Sequence, residues 1–289
     1  FEAKARFSEL LAAVQAGGLK KLGFVGKKAV PFVQQLPVGA LWGVGERTED
    51  ALLRLGLRTV ADIAHTPVLA RTLMQPASVT SFGFKCIGWA APLRRSLQRL
   101  RVARPNALKL QLGGTVGTLS AMNGEGARVS ELMAADLKLT APPVSWHTQR
   151  DEWVALGCEL GLLTGSLGKI ARDIVLMSQA EVGEVAEPVE PGRGGPSNMP
   201  HKHNPVASMV AIAASQRVPQ RVAALLAVMP QEHERALGAW QAELAEWPQL
   251  VISAHGSARA LAQALPGLQV DAHRMRENLD AVRATLTKA

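Results

Sequence analysis

The chain reads as all-α, a bundle of long helices, on the strength of three features. Leu160, Leu163, Leu167, Ile170, Ile174 and Met177 recur at spacings of three and four, which lays one apolar stripe along a long helix. Prolines gather between the periodic stretches, at Pro142-Pro143, Pro188 to Pro200, Pro230, Pro248 and Pro266, where they mark loops and helix ends. Strand-like alternation is nearly absent.

Further helices are predicted over Val206 to Met229 and Glu234 to Ala264. Pro219, inside the first of these, predicts a kink or a local break, because proline removes one helical donor and crowds the preceding turn. Residues 1–35 pair a short helical pattern (Phe7, Leu10, Leu11, Val14) with Gly17-Gly18 and a Lys-rich turn. Residues 36–64 place Gly43-Val44-Gly45 before a Leu-rich helix that stops at Gly56. Three segments follow: 1–35, 36–64 and a helical domain over 65–289.

Composition supports a packed protein, with 47% hydrophobic and 19% charged residues. No uninterrupted apolar run reaches the ~18 residues of a membrane span, so no membrane partner is expected. The start of the chain lacks a signal-peptide pattern and reads as mid-protein sequence. Cys86 and Cys158 stand far apart and outside any CxxC spacing, which predicts a reduced cytoplasmic protein without a structural metal. His201 and His203 flank Lys202 without a nearby third ligand, so no metal is expected there either.

The net charge is +8. From Thr66 to Pro105 there are seven basic residues (Arg71, Lys85, Arg94, Arg95, Arg99, Arg101, Arg104) and no acidic one. Such a run fits phosphate binding, steering of an acidic small substrate, or a solvated helix face.

The segment Gly192-Arg193-Gly194-Gly195-Pro196-Ser197-Asn198-Met199-Pro200-His201-Lys202-His203-Asn204-Pro205 carries the chemistry. It resembles the signature of the fumarase/aspartase superfamily, a glycine-rich loop, Ser-Ser, then Met-Pro-x-Lys-x-Asn-Pro. Thr66-Pro67 through Ala77 resembles that family's TPMxGRTxLQxA region, with Leu73 where most members have His. His201, Val206-Ala207-Ser208, Leu112 to Thr118, Trp146 to Asp151, Gly168 to Asp173, Glu181 to Glu184 and Gln231 to Arg235 resemble the bacterial 3-carboxy-cis,cis-muconate cycloisomerases.

The resemblance implies a truncated fumarase-type helical fold with short amino-terminal extra segments, assembled as a homotetramer. It implies a cofactor-free cycloisomerase of aromatic catabolism acting on a di- or tricarboxylate, with Ser197 and Lys202 as catalytic positions. Arg71, Thr72, Gln75, His147, Arg150, Met199, Lys202, Asn204 and Arg235 are the implied substrate-binding positions. Lysine and asparagine suit this reaction because they stabilise charge growing on an enolate-like carboxylate. Pro196 occupies the place of the first family serine, and proline has no proton to exchange. The family's first conserved region and its small carboxy-terminal domain have no counterpart, which predicts a junction near His65.

Residues 36–64 resemble the helix-hairpin-helix of Y-family DNA polymerases. Gly43 and Gly45 would let backbone amides approach a phosphate, giving weak, sequence-independent nucleic-acid binding. A catalytically dead oligomeric scaffold of the same fold is the other alternative.

Overall fold

The computed structural model describes residues 64–188, 204–235 and 237–286. Residues 1–35, nearly all of 36–64 and the segment 189–203 lie outside these, so expectations for Gly43, Gly45, Ser197, Met199 and Lys202 fall outside the described residues.

In chain order the elements are β1 (Pro67–Thr72), β2 (Gln75–Ser81), α1 (Phe82–Ala107), α2 (Gly126–Leu137), α3 (Asp151–Met177), β3 (Val185–Ala186), α4 (Val206–Ala227), α5 (Ala239–Ala264), β4 (Gln269–Val270) and α6 (Ala272–Leu286). Helices dominate, as the three-and-four spacing requires. The stripe on α3 is buried at Leu167, Ile170, Ile174 and Met177. The chain divides into two compact units. One comprises the described residues up to Gly88, Arg172–Ala207 and those from Leu261 onward; the other comprises Trp89–Ala171 and Ser208–Ala260.

In the first unit, β1 and β2 form an antiparallel hairpin, with Thr72 opposite Gln75, and α6 packs against both strands. The sequence reading missed this hairpin. Its burial does not alternate cleanly, since Val68 and Leu69 are both buried while β2 is mostly exposed. Its turn is also disguised. Leu73 and Met74 take φ of 49° and 66°, a left-handed pair that glycine or asparagine usually fills. At the start of α6, the Asp271 carboxylate accepts from the Arg274 amide at 2.8 Å, a side-chain N-cap.

The core of the second unit is Val154, Val218, Leu225, Trp247 and Leu250. Trp153 lies 4.2 Å from Trp247 between ring centroids, and 6.2 Å from Trp146 in an edge arrangement. Close helix approach is set by glycine. A Cβ on Gly168 of α3 would fall 2.4 Å from Ser215 of α4, and one on Gly157 would fall 3.0 Å from Leu225.

Pro92, Pro105, Pro219 and Pro248 all lie inside helices. Pro248 therefore does not end a segment, and α4 continues through Pro219. By length and composition α3 could cross a membrane, with mean hydropathy of 1.3 over an 18-residue window. Six of its apolar residues (Val154, Leu167, Ile170, Ala171, Ile174, Met177) are buried within the protein.

Of the basic run, Arg94, Arg95, Arg101 and Arg104 are exposed on α1, while Arg99 is tied to Glu159 at 2.6 Å.

Candidate functional site

In the second unit the glycine-rich segment after Leu112 folds into a loop in which Gly114 and Gly117 take φ of 69° and 87°. These are left-handed angles that most side chains resist. Gly113 serves by its size instead. A Cβ there would lie 2.7 Å from Ser145 Oγ and 2.9 Å from His147 Cε1. The bare glycine lets the 145–150 segment settle against the loop, and the Trp146 indole N–H fastens that segment to the Leu110 carbonyl at 2.9 Å.

His147 is thereby held between two partners. Arg235 Nη2 donates to His147 Nε2 at 3.2 Å and to the Gly114 carbonyl at 2.8 Å. An arginine can only donate, so Nε2 must be the acceptor and His147 carries its proton on Nδ1. Nδ1 then donates to Ser145 Oγ, 2.6 Å away. This wiring leaves the Ser145 hydroxyl proton free to point elsewhere. Burial, then Arg235, then Arg150 lower the His147 pKa from its ordinary value of 6.5, which favours the neutral ring.

The sequence reading placed Arg235 near the start of a helix. In the structure α5 begins only at Ala239, because His233 (φ 46°) and Gly238 (φ 81°) break the helical path. Arg235 therefore sits on a turn, exposed, and from there reaches the glycine-rich loop.

Arg150, one of the expected substrate-binding positions, is buried in this structure. Its guanidinium is buried and donates to Glu243 at 2.9 and 2.5 Å. It also donates to Gln111 Oε1 at 3.2 Å and stacks 4.6 Å from the Trp146 ring. Gln231 Nε2 adds a bond of 3.0 Å to the same Glu243 carboxylate. Through Gln111, Trp146 and the Glu243–Gln231 link, Arg150 braces the three segments that carry Gly114, His147 and Arg235.

Beside Ser145 opens a cavity of 670 Å³, whose polar lining includes Thr118, Ser120, Ser130, Glu131 and Ser145. Its volume lies in the range of small-molecule sites.

In the first unit, Arg71, Thr72 and Gln75 lie on one hairpin and are all exposed as whole residues. Arg71 pairs with the fully buried Glu184 at 3.0 and 3.3 Å. Asn278 donates to that carboxylate at 2.9 Å. Asn204 precedes α4 and is half-buried. Close by, the Glu187 carboxylate accepts from the Ala207 amide at 2.9 Å, supplying the negative charge that a helix start favours.

The structure thus gathers His147, Arg150 and Arg235 in one unit, and Arg71, Thr72, Gln75 and Asn204 in the other. The sequence reading did not single out Ser145, Glu243 or the Gly114 carbonyl. Only Ser145, two residues before His147, left a local signal. Neither cysteine offers a ready nucleophile. Burial pushes the Cys86 thiol up to about 11 and also raises that of Cys158. Among the described residues no group of three His, Cys, Asp or Glu side chains could hold a metal.

The family model described as "Lyase" matches residues 56–219. The chain is 46% identical over 237 residues to a 3-carboxy-cis,cis-muconate cycloisomerase of Pseudomonas aeruginosa, covering 79% of this chain and 52% of that protein. It is also 46% identical over 217 residues to the protein of the same name from Pseudomonas putida, covering 75% and 51%. The crystal structure of 3-carboxy-cis,cis-muconate lactonizing enzyme from Pseudomonas putida aligns with a TM-score of 0.70 at 46% identity, covering 81% of this chain and 51% of that one. The chain spans about half the length of the curated relatives it matches.

Proposed function

Because the chain belongs to the fumarase/aspartase superfamily of lyases, we propose that it forms part of a cofactor-free cycloisomerase converting 3-carboxy-cis,cis-muconate to 4-carboxymuconolactone. One observation carries this reading beyond kinship. The exposed Arg235 lies against a neutral His147 and a backbone carbonyl, with a cavity beside Ser145. That arrangement suits a carboxylate ligand, which a guanidinium binds through paired, charge-assisted bonds.

In the proposed reaction, one substrate carboxylate adds across the conjugated double bond, and a proton is delivered to the carbon alpha to another carboxylate. Arg235 would hold a carboxylate; family resemblance alone assigns Lys202 and Asn204 to the enolate-like charge. Ser197 would supply the proton that Pro196 cannot. Unpaired cysteines fit a cytoplasmic protein, and family kinship favours a homo-oligomer, a tetramer by the same resemblance.

The test is ultraviolet loss of 3-carboxy-cis,cis-muconate with the purified chain, beside Pro196→Ser and Arg235→Ala. Turnover that falls by 10²-fold or more in Arg235→Ala supports the reading, on the order of what a lost charge-stabilising donor costs. Turnover only in Pro196→Ser would identify that proline as the lesion. Absence of turnover in both the natural chain and Pro196→Ser would overturn the reading for this chain.

A further inference from the structure

Arg235 and His147 meet in an unusual way for two groups that are often both cationic. The guanidinium donates to Nε2, so the pair is compatible only while His147 is neutral. A carboxylate approaching the exposed face of Arg235 changes that relation. It offers oxygens better matched to guanidinium donors than an imidazole nitrogen is, and it cancels the positive charge that disfavours a second cation nearby.

We infer that a carboxylate ligand displaces His147 from Arg235, and that His147 takes a proton from solvent onto Nε2 as this happens. It then becomes the second cation of a two-point clamp on the ligand. This deepens the carboxylate reading of the site and rests on it.

The geometry supplies each part. The Nδ1 proton is already committed to Ser145, so the incoming proton has one place to go, the nitrogen facing Arg235. Gly113 leaves the ring seated without a side chain behind it, and the Gly114 carbonyl keeps Arg235 in place when His147 lets go. The charged groups acting on His147 are Arg235, from the turn before α5, and Arg150, on its own segment. Arg150 is met by Glu243 of α5, so neutralising Arg235 removes the main uncompensated charge. The glycine-rich segment, Leu112 to Thr118, has no charged side chain. Burial and these two cations hold the ring neutral before binding.

The sign follows from linkage. The liganded state holds His147 at a higher pKa than the free state, so it binds more protons between the two values. Affinity is therefore greatest below the free value and falls as pH rises through the liganded value. A shift of one unit, the lower end for an opposite charge at contact, corresponds to about tenfold in affinity.

The experiment is calorimetric titration of the full chain with tricarballylate, an unreactive tricarboxylate, at one pH near neutrality in buffers of different ionisation enthalpy. The expected result is net proton uptake of between zero and one, lost in His147→Asn, with binding itself lost in Arg235→Gln. Binding without proton uptake in the natural chain, uptake that persists in His147→Asn, or no binding at all overturns the inference. Should His147→Asn fail to fold, the histidine ring-proton resonances of the natural chain decide it. One midpoint must rise on adding tricarballylate, and none rising overturns it. Muconate turnover without proton uptake would sink the clamp and leave the cycloisomerase reading standing. Proton-linked binding without turnover would do the reverse.

Discussion

Gly168 on α3 and Ser215 on α4 approach so closely that a Cβ on the glycine would lie 2.4 Å from both Ser215 Cβ and Oγ. No rotation of the serine relieves this, because its Cβ is fixed to the backbone. Gly168→Ala is expected to destabilise the protein by about 1–3 kcal/mol through overpacking. Ser215→Gly should recover most of that loss in a double-mutant cycle of thermal melts. Independent, additive losses would mean the contact does not limit the helix approach.

Gly113 offers a parallel test on function. Gly113→Ala adds a methyl where Ser145 Oγ and His147 Cε1 already sit, so the imidazole must shift from its place beside Arg235. Displacements of about 1 Å can cost around 10²-fold in rate. That loss in kcat/KM is expected, with helical circular dichroism unchanged. Wild-type kinetics in this variant would remove His147 from the working site.

Removing either member of the Arg150–Glu243 pair strands the other. Glu243→Ala leaves a guanidinium buried at 3% exposure without its carboxylate, a change expected to cost about 3–5 kcal/mol. The double replacement Arg150→Met, Glu243→Leu is expected to be the milder of the two in chemical denaturation. If the single change were harmless, the bracing role would be wrong.

His147 should also register in the pH dependence of stability. Its folded pKa lies below the ordinary value of 6.5, so the unfolded chain binds protons more readily. The contribution is fully present above about 6.5 and lost as pH falls through the folded value. His147→Asn should flatten that part of a stability–pH profile; an unaltered profile would contradict the neutral, Arg235-bound ring.

At the hairpin tip, Leu73 and Met74 hold left-handed angles that cost about 1–2 kcal/mol for an ordinary L-residue. Leu73 is 97% exposed, so replacement there forfeits little packing. Replacing the pair with Asn-Gly is expected to raise the melting temperature, since that dipeptide favours the two-residue turn.

This turn shows why the hairpin was illegible in the sequence, whereas the helices were not. The α3 stripe is a periodic signal spread over many residues, and it located the helix without reference to anything distant. The turn carries no glycine, and its strands owe their position to α6, nearly two hundred residues on. The site divides in the same way. His147 and Arg235 were marked by family resemblance, but the role of Arg150 depends on Glu243, a partner that local spacing cannot reveal. The start of α5 was misjudged because nothing in Glu234 to Leu237 forbids a helix, whereas His233 and Gly238 take positive φ once the turn is packed.

The Arg150–Glu243 pair also bears on inheritance. The two codons stand 93 positions apart, yet neither can drift alone without passing through a protein that buries a lone charge. In descendants of this fold the two positions should be exchanged together or kept together. Sequences that have lost one should already have changed the other, whether or not they still process the same substrate.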